Sequence, residues 1–228
     1  MKVIKGILAL LPLVITAAVL PIMPEQVPMH YNIEGAVDRM GSRYELLLLP
    51  VLVLLVVAVS ELAAGHYARR AEGPEDDKDV KAARINAKTM HIISYALPVF
   101  FGVMQVCVLY MTYRNSMADN KEVNSEMIVR VTHICLGIMF AVFGYYMPKT
   151  ERNNMFGFRT KWSMYNDNTW HRCNKLGGII FIIVGLLLII TAAVLPANAI
   201  TFTMLGYLLI ATVILIVYSR KVYKEEIR

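Results

Sequence analysis

The residues best suited to chemistry in this sequence lie in two polar loops that separate long apolar runs. In the first loop, His30, Glu34 and Asp38 carry the imidazole and carboxylate groups that bind divalent metal ions. Pro28 precedes these residues and Gly35 lies between them, which disfavours one helix that carries all three ligands. Hydrogen bonding within an ordered loop is therefore the favoured interpretation, and a metal site is the alternative.

Prolines and glycines punctuate this first loop, which covers residues 21–45. Pro24 and Pro28 restrict the backbone angle φ. Gly35 and Gly41 permit positive φ. The pattern predicts an ordered lid over one end of the protein, facing whatever arrives from outside.

The second loop, between the fourth and fifth apolar runs, surrounds one arginine with asparagines, glycines and tryptophans. The planar guanidinium of Arg159 offers several donors at once and could hold a phosphate, a carboxylate or the backbone of a partner. Asn166 is expected to cap a helix that continues into the fifth run, with Asp167 near its positive end.

The helix that follows this cap has one distinctive face, on which Trp170, Asn174, Gly177 and Gly178 lie together. Trp162 and Trp170 could both lie in the headgroup region of a membrane. An amphipathic helix that only holds the loop at the interface is therefore the alternative to a functional loop.

Hydropathy predicts the elements that position both loops. Hydrophobic residues make up 57% of the 228 residues, and the mean hydropathy is +0.52, which is too apolar for a water-facing surface. Lipid offers no hydrogen-bond partners, so apolar runs of about 20 residues must form helices. The sequence predicts an all-α bundle of about six transmembrane helices, at residues 4–22, 46–65, 90–113, 127–147, 177–195 and 200–218.

Basic residues indicate how this bundle is oriented. Of the 23 lysines and arginines, 18 lie at the two termini and in the loops after the second and fourth runs. The positive-inside rule then places both termini and the second loop in the cytoplasm, and the first loop outside the cell. The first run is expected to remain as an uncleaved anchor.

The predicted spans contain few groups for catalysis. They hold no aspartate, and no histidine in the chain is followed by glutamate, which excludes intramembrane aspartyl proteases and HExxH zinc enzymes. Glu61 lies near the cytoplasmic end of the second span, where it can reach the interface. The cysteines lack metal-binding spacing. We therefore expect no enzyme, no cofactor and no direct contact with nucleic acid.

Small residues recur every seven positions on two spans, at Gly137 and Gly144 on the fourth and at Gly178, Gly185 and Ala192 on the fifth. Close backbone approach at such positions supports helix association in lipid. The spacing predicts that these two helices contact each other, and it gives the glycines no chemical role.

Two residue patterns together carry a resemblance to a known family. The front pattern comprises Pro24, Pro28, His30, Asn32, Gly35 and Asp38. The rear pattern comprises Asn153, Gly157, Arg159, Thr160, Trp162, Ser163, Trp170, Gly177 and Gly178. These patterns resemble the DUF1648 element and the SdpI element of the SdpI family of bacterial immunity proteins. Two positions depart from the family pattern, because Lys161 replaces the usual proline and Ser163 the frequent threonine.

The resemblance implies a multi-pass protein of the bacterial cell membrane that protects its cell against a secreted killing peptide. In some members it also implies capture of a cytoplasmic repressor at the membrane. The implied partners are thus membrane lipid, the secreted peptide and such a repressor. Phe156 and Asn174 join the residues above as candidates for the functional loop.

The chain is expected to divide into two parts. Residues 1–147 form a four-helix half with the front loop, and residues 148–228 form the rear loop with a C-terminal hairpin of two spans. A transporter or membrane sensor of a small molecule is the alternative function. An enzyme that acts on lipid-linked substrates is a less favoured one, because the spans lack catalytic groups.

Overall fold

The computed structural model describes residues 2–32, 37–117 and 126–228. Within them, six helices are long and apolar enough to cross a membrane, which confirms the predicted bundle. Their bounds are α1 (Lys2–Val19), α2 (Leu48–Arg70), α3 (Lys78–Met117), α4 (Glu126–Tyr146), α5 (Asp167–Val194) and α6 (Ala197–Glu226). Glu34 and Gly35 of the first loop lie outside the described residues.

Successive helices run antiparallel, so both chain termini lie at one end of the bundle, here called the terminal end. This end also carries the loop between α2 and α3 and the long loop between α4 and α5. The opposite end carries a β-hairpin and is called the hairpin end. The assignment of the terminal end to the cytoplasm rests on the charge pattern and stays a prediction.

The third helix begins earlier than its apolar run predicts. It starts at Lys78, about three turns before the predicted span at residue 90. These extra turns are amphipathic, because Ala83 and Ala87 are buried while Arg84 and Lys88 are exposed. α3 therefore extends beyond its apolar span at the terminal end and brings Asn86 beside the loop between α4 and α5.

Glycines let the backbones of α4 and α5 approach each other. A β-carbon added at Gly137 would lie 2.5 Å from the carbonyl oxygen of Gly185, and one added at Gly144 would lie 2.6 Å from that of Gly178. No larger residue fits at these distances unless a helix moves. The predicted contact between the two helices is confirmed.

The first loop contains a β-hairpin that the sequence analysis did not predict. Strands β1 (Gln26–Tyr31) and β2 (Val37–Ser42) pair antiparallel, with an irregular register on either side of His30. Val27 of β1 is fully buried in an apolar cluster that contains Leu20, Met23, Leu46 and Leu109. The hairpin is thereby fixed to the ends of α1 and α3 and to the segment that leads into α2.

A charged pair joins α1 to α2 inside the bundle. The side chain of Lys5 is only 6% exposed, and its Nζ donates to the carboxylate of Glu61, whose side chain is 35% exposed. The same Nζ lies 3.4 Å from Nδ1 of His91 and 4.4 Å from the centre of the Tyr95 ring. Glu61 thus balances the charge of the buried Lys5 ammonium and does not extend unpaired to the membrane interface.

Candidate functional site

Buried polar side chains hold the loop between α4 and α5, residues 150–166, in one shape. Asn153 is 5% exposed. Its Oδ1 accepts from the N–H groups of Met155 and Phe156, each at 2.8 Å. Its Nδ2 donates to the carbonyls of Glu151 at 2.8 Å and Phe156 at 3.1 Å. One amide therefore satisfies four backbone groups and closes the first turn of the loop.

Gly157 makes a close contact between this loop and α5. Its φ is +124°, in the region that favours glycine. A β-carbon there would lie 2.6 Å from Oδ1 of Asn174 and 2.8 Å from a ring carbon of Trp170. The Asn174 oxygen also accepts from the N–H of Phe158 at 2.7 Å. Three residues singled out in the sequence, Gly157, Trp170 and Asn174, therefore meet at one place.

Trp170 lies in the protein interior and not at the membrane surface. Its side chain is fully buried, and its Nε1 donates to the carbonyl of Thr150 at 2.8 Å. The proposed role of Trp170 in the headgroup region is therefore wrong, because the indole links the start of the loop to α5. Trp162 is partly exposed, with the cations of Lys161 and Arg220 at 5.4 and 6.0 Å from its ring.

Thr160 and Ser163 form a second closed turn in the loop. The N–H of Thr160 donates to Oγ of Ser163 at 2.8 Å, and the N–H of Ser163 donates to Oγ1 of Thr160 at 3.0 Å. Thr160 Oγ1 also donates to Oγ of Ser219 on α6 at 3.3 Å. Ser163 thus supplies the hydroxyl that the threonine of the family pattern would supply. Lys161 lies within the turn, and its side chain is exposed.

The C-terminal end of α6 holds the N-terminal end of α5. Asn166 caps α5, since its Oδ1 accepts from the N–H of Thr169 at 2.8 Å, which confirms the predicted cap. Its Nδ2 donates to Oε1 of Glu226 at 2.7 Å, and Nδ2 of Asn168 donates to Oε2 of the same carboxylate at 2.6 Å. Two amides at the start of α5 therefore share one carboxylate of α6.

Arg159 differs from Arg152 and Arg172 in its charge partners. Arg152 and Arg172 form ion pairs with carboxylates of α5 and α6, at 3.2 and 2.6 Å. Arg159 is exposed and donates to the carbonyl of Asn154. No carboxylate of residues 2–32, 37–117 and 126–228 forms an ion pair with it. Its remaining donors can therefore bind an anion of another molecule.

A cavity of about 360 Å³ opens beside Arg159 at the terminal end. The lining comprises Phe143, Met147, Met155, Phe156, Gly157, Phe158, Arg159 and Phe181. Phe143 and Phe156 pack edge to face, with ring centres 5.5 Å apart. Phe156 also contacts an apolar cluster of α2 and α3, which places the cavity where the loop meets several helices. The side chains of its walls are apolar except for Arg159.

Gly178 serves the packing of α5 and makes no contact with this cavity. A β-carbon at Gly178 would lie 2.5 Å from the carbonyl oxygen of Gly144 and 2.7 Å from the ring of Pro148. The structure therefore gives Gly178 the packing role that the seven-residue spacing predicts.

The candidates from the first loop lie at the hairpin end, far from the cavity. Nδ1 of His30 and Oδ1 of Asp38 are 2.6 Å apart, with side chains 65% and 43% exposed. Pro28 lies in β1, and Asn32 follows β1 and is partly buried. No group of three metal-ligating side chains occurs among the residues that the structure describes, and Glu34 is not one of them. Hydrogen bonding between His30 and Asp38 matches the favoured interpretation of this loop.

Three residues that hold the rear loop were missed in the sequence. Oδ1 of Asn86 on α3 accepts from the N–H of Glu151 at 3.1 Å, and Asn86 is 2% exposed. Its position among buried alanines of an amphipathic helix is a signal that could have identified it. Ser219 and Glu226 act from α6, and no local pattern connects them to the loop.

Comparisons with known proteins agree with the resemblance. The model of the SdpI/YfhL protein family matches residues 149–219, and that of a domain of unknown function, DUF1648, matches residues 7–54. The chain is 18% identical over 203 residues to Immunity protein SdpI of Bacillus subtilis (strain 168), which covers 89% of this chain and 86% of that protein. No solved structure matches the chain. The predicted resemblance to the SdpI family is confirmed.

Proposed function

We propose that this multi-pass membrane protein, with an SdpI/YfhL segment behind a DUF1648 segment, protects a bacterial cell against a secreted killing peptide. The observation that carries this proposal is the similarity to a protein named Immunity protein SdpI over 89% of the chain. An alignment of that extent includes residues of both segments. The sequence similarity thus extends over both segments and is not confined to one motif.

The loops of the two segments lie at opposite ends of the bundle, which supports a separate role for each. The hairpin of the DUF1648 segment lies at one end, and the loop of the SdpI/YfhL segment lies at the other. With the orientation predicted from charge, the hairpin faces the outside, where a secreted peptide arrives. Burial of Val27 and a hydrogen bond of 2.9 Å from Arg43 to the carbonyl of Met23 fix the hairpin to the helices. A surface held in this way loses little conformational entropy when a partner binds.

The loop between α4 and α5 is proposed as the cytoplasmic contact site, including capture of a repressor where the cell has one. Its backbone is closed by Asn153, Asn174 and Trp170, which are buried. Arg159 and Lys161 are exposed on the same loop. A rigid loop that displays two cations suits a partner with an acidic surface.

Survival of a sensitive bacterial strain tests the proposal. Cells that express this chain should survive the killing peptide, and cells with an empty vector should not. Arg159→Ala should reduce surviving colonies at least about tenfold, which corresponds to one charge-assisted interaction. Arg159→Lys should lose nearly as much, because lysine keeps the charge but not the planar fork.

Arg228→Ala is the matched control, since Arg228 is exposed at the end of the chain. Membrane abundance of every variant is measured by immunoblot. Full survival with Arg159→Ala at normal abundance would show that the loop is not needed for protection. Death of cells that express the unchanged protein, together with flux of a small molecule in proteoliposomes, would favour the transporter alternative.

A further inference from the structure

The cavity beside Arg159 combines a charged group with an apolar wall. Its mouth carries a guanidinium without an ion-pair partner among the described residues, whereas the guanidinium groups of Arg152 and Arg172 are ion paired. Its walls carry four phenylalanines and two methionines. A ligand that satisfies both surfaces needs an anionic group and an apolar part.

The place of the cavity in the bundle indicates where such a ligand comes from. Phe143 lies about one turn before the end of α4, and Phe181 lies about four turns into α5, inside its apolar run. Arg159 lies in the loop itself. The apolar wall is therefore at the depth of lipid chains, and the cation is at the depth of headgroups.

Aromatic rings beside cations indicate that Arg159 lies at the depth of the membrane interface. Trp162 is partly exposed between Lys161 and Arg220. Nζ of Lys149, in the turn that follows α4, lies 3.1 Å from the centre of the Tyr145 ring. Aromatic rings beside cations are typical of the headgroup region, where anionic lipids are attracted.

A phospholipid fits the cavity better than a peptide does. Among the residues that line it, Arg159 is the single charged side chain, and the other side chains bring no hydrogen-bonding group apart from methionine sulfur. A peptide would bring N–H and C=O groups that the phenylalanine and methionine side chains leave unpaired, at a cost in free energy. An acyl chain brings none.

We propose that this cavity binds one anionic phospholipid from the leaflet at the terminal end, with its phosphate on Arg159 and an acyl chain against Phe143 and Phe181. This inference goes beyond the proposed function and does not rest on it, since the lipid would bind whether or not the protein protects against a peptide. The binding site is specific, because the cation and the apolar wall act on the same molecule.

Native mass spectrometry of the full chain, purified in detergent, tests this proposal. The protein is titrated with phosphatidylglycerol and, in parallel, with phosphatidylcholine, whose headgroup is neutral overall. The unchanged protein should bind one phosphatidylglycerol at least about tenfold more tightly than phosphatidylcholine. Arg159→Gln should remove this preference. Lys161→Gln is the matched control, because it removes the same charge two residues away and should change the affinity less than about threefold.

Two further measurements distinguish the contribution of the acyl chains to binding from that of the phosphate. Met155→Trp places a larger side chain at the cavity wall, where Met155 is 43% exposed, and should weaken phosphatidylglycerol binding while the melting temperature stays unchanged. Glycerol 3-phosphate, which has the phosphate without the chains, should not displace the lipid at a hundredfold excess. Displacement by glycerol 3-phosphate, or equal losses in Arg159→Gln and Lys161→Gln, would overturn the proposal. Survival of cells plays no part in these measurements, so the proposal and the immunity function can fail separately.

Discussion

The side-chain oxygen of Asn174 lies 2.7 Å from the backbone nitrogen of Phe158, the residue that precedes Arg159. Through this hydrogen bond, a fully buried amide on α5 determines where the exposed guanidinium of the loop is placed. The sequence indicates both Asn174 and Arg159 as candidates for the functional loop, but their roles differ. Asn174 acts on the fold of the loop, and Arg159 is available to other molecules.

Asn174→Leu is therefore expected to destabilise the loop without touching any partner. Leucine has nearly the same size but leaves the partly buried N–H of Phe158 without an acceptor, which costs about 1–3 kcal/mol. Thermal unfolding in detergent should show a lower midpoint, and trypsin should cut faster at Arg159 and Lys161. Lys175→Leu, at an exposed position one residue away on the same helix, should leave both unchanged. Equal protease resistance of the Asn174 variant and the parent would contradict this role.

Gly185→Ala should separate α4 from α5. Its new β-carbon would lie 2.5 Å from the carbonyl oxygen of Gly137 and 3.0 Å from the nitrogen of Ala141, so one helix must move. Gly65→Ala is the control, because nothing lies within 4 Å of a β-carbon there and alanine favours a helix by about 1 kcal/mol over glycine. We expect a lower unfolding midpoint for the first variant and an unchanged or higher one for the second. Two unchanged midpoints would show that the helices can repack around a methyl group.

The pair of Lys5 and Glu61 should show strong energetic coupling. Glu61→Gln leaves a buried ammonium without its carboxylate, at a cost of about 3 kcal/mol, the low end of the usual range because Glu61 is partly exposed. The double variant Lys5→Met with Glu61→Gln removes both charges and should recover much of this loss. Denaturant unfolding of the parent, both single variants and the double variant measures the coupling. Additive losses would mean that the two side chains do not interact in solution.

The orientation of the bundle can be tested by cysteine labelling in a cysteine-free background. Met40, which is 50% exposed on the hairpin, should react with an impermeant maleimide on intact cells after replacement by cysteine. Cysteines at Asp76 and Lys161, both exposed at the terminal end, should react only after the membrane is opened. This expectation follows from the charge pattern. Labelling at Lys161 on intact cells would reverse the assignment of the two ends.

The long elements of this fold could be predicted from sequence because their causes are local. An apolar run of about 20 residues has no alternative to a helix in lipid, so six spans were found. Asn166 signals a helix start by its own side chain, and the spacing of Gly137 and Gly144 signals a packing face. Each signal occupies a few neighbouring residues. The structure confirms each of these predictions.

The elements that were missed depend on residues far apart in the chain or on weak local patterns. The strands of the hairpin contain Pro28 and several charged residues and lack regular apolar alternation, so they resemble an irregular loop. Lys5 and Glu61 are 56 positions apart, and each alone suggests a charge near a membrane surface. In the rear loop, the motif identified Trp170 but gave no indication that its indole is buried. Burial is decided by how the loop folds back on α5.

The carboxylate of Glu226 that joins α6 to the cap of α5 also determines how this protein can be fused to a reporter. A fluorescent protein or affinity tag joined directly after Glu226 would disturb the hydrogen bonds that Asn166 and Asn168 donate to its carboxylate. Removal of the last five residues would leave both amides without their acceptor and loosen the loop that carries Arg159. A flexible linker placed after Arg228, which is exposed, avoids both effects. The last turn of α6 is therefore part of the folded protein, although it lies beyond the apolar span and looks like a dispensable tail.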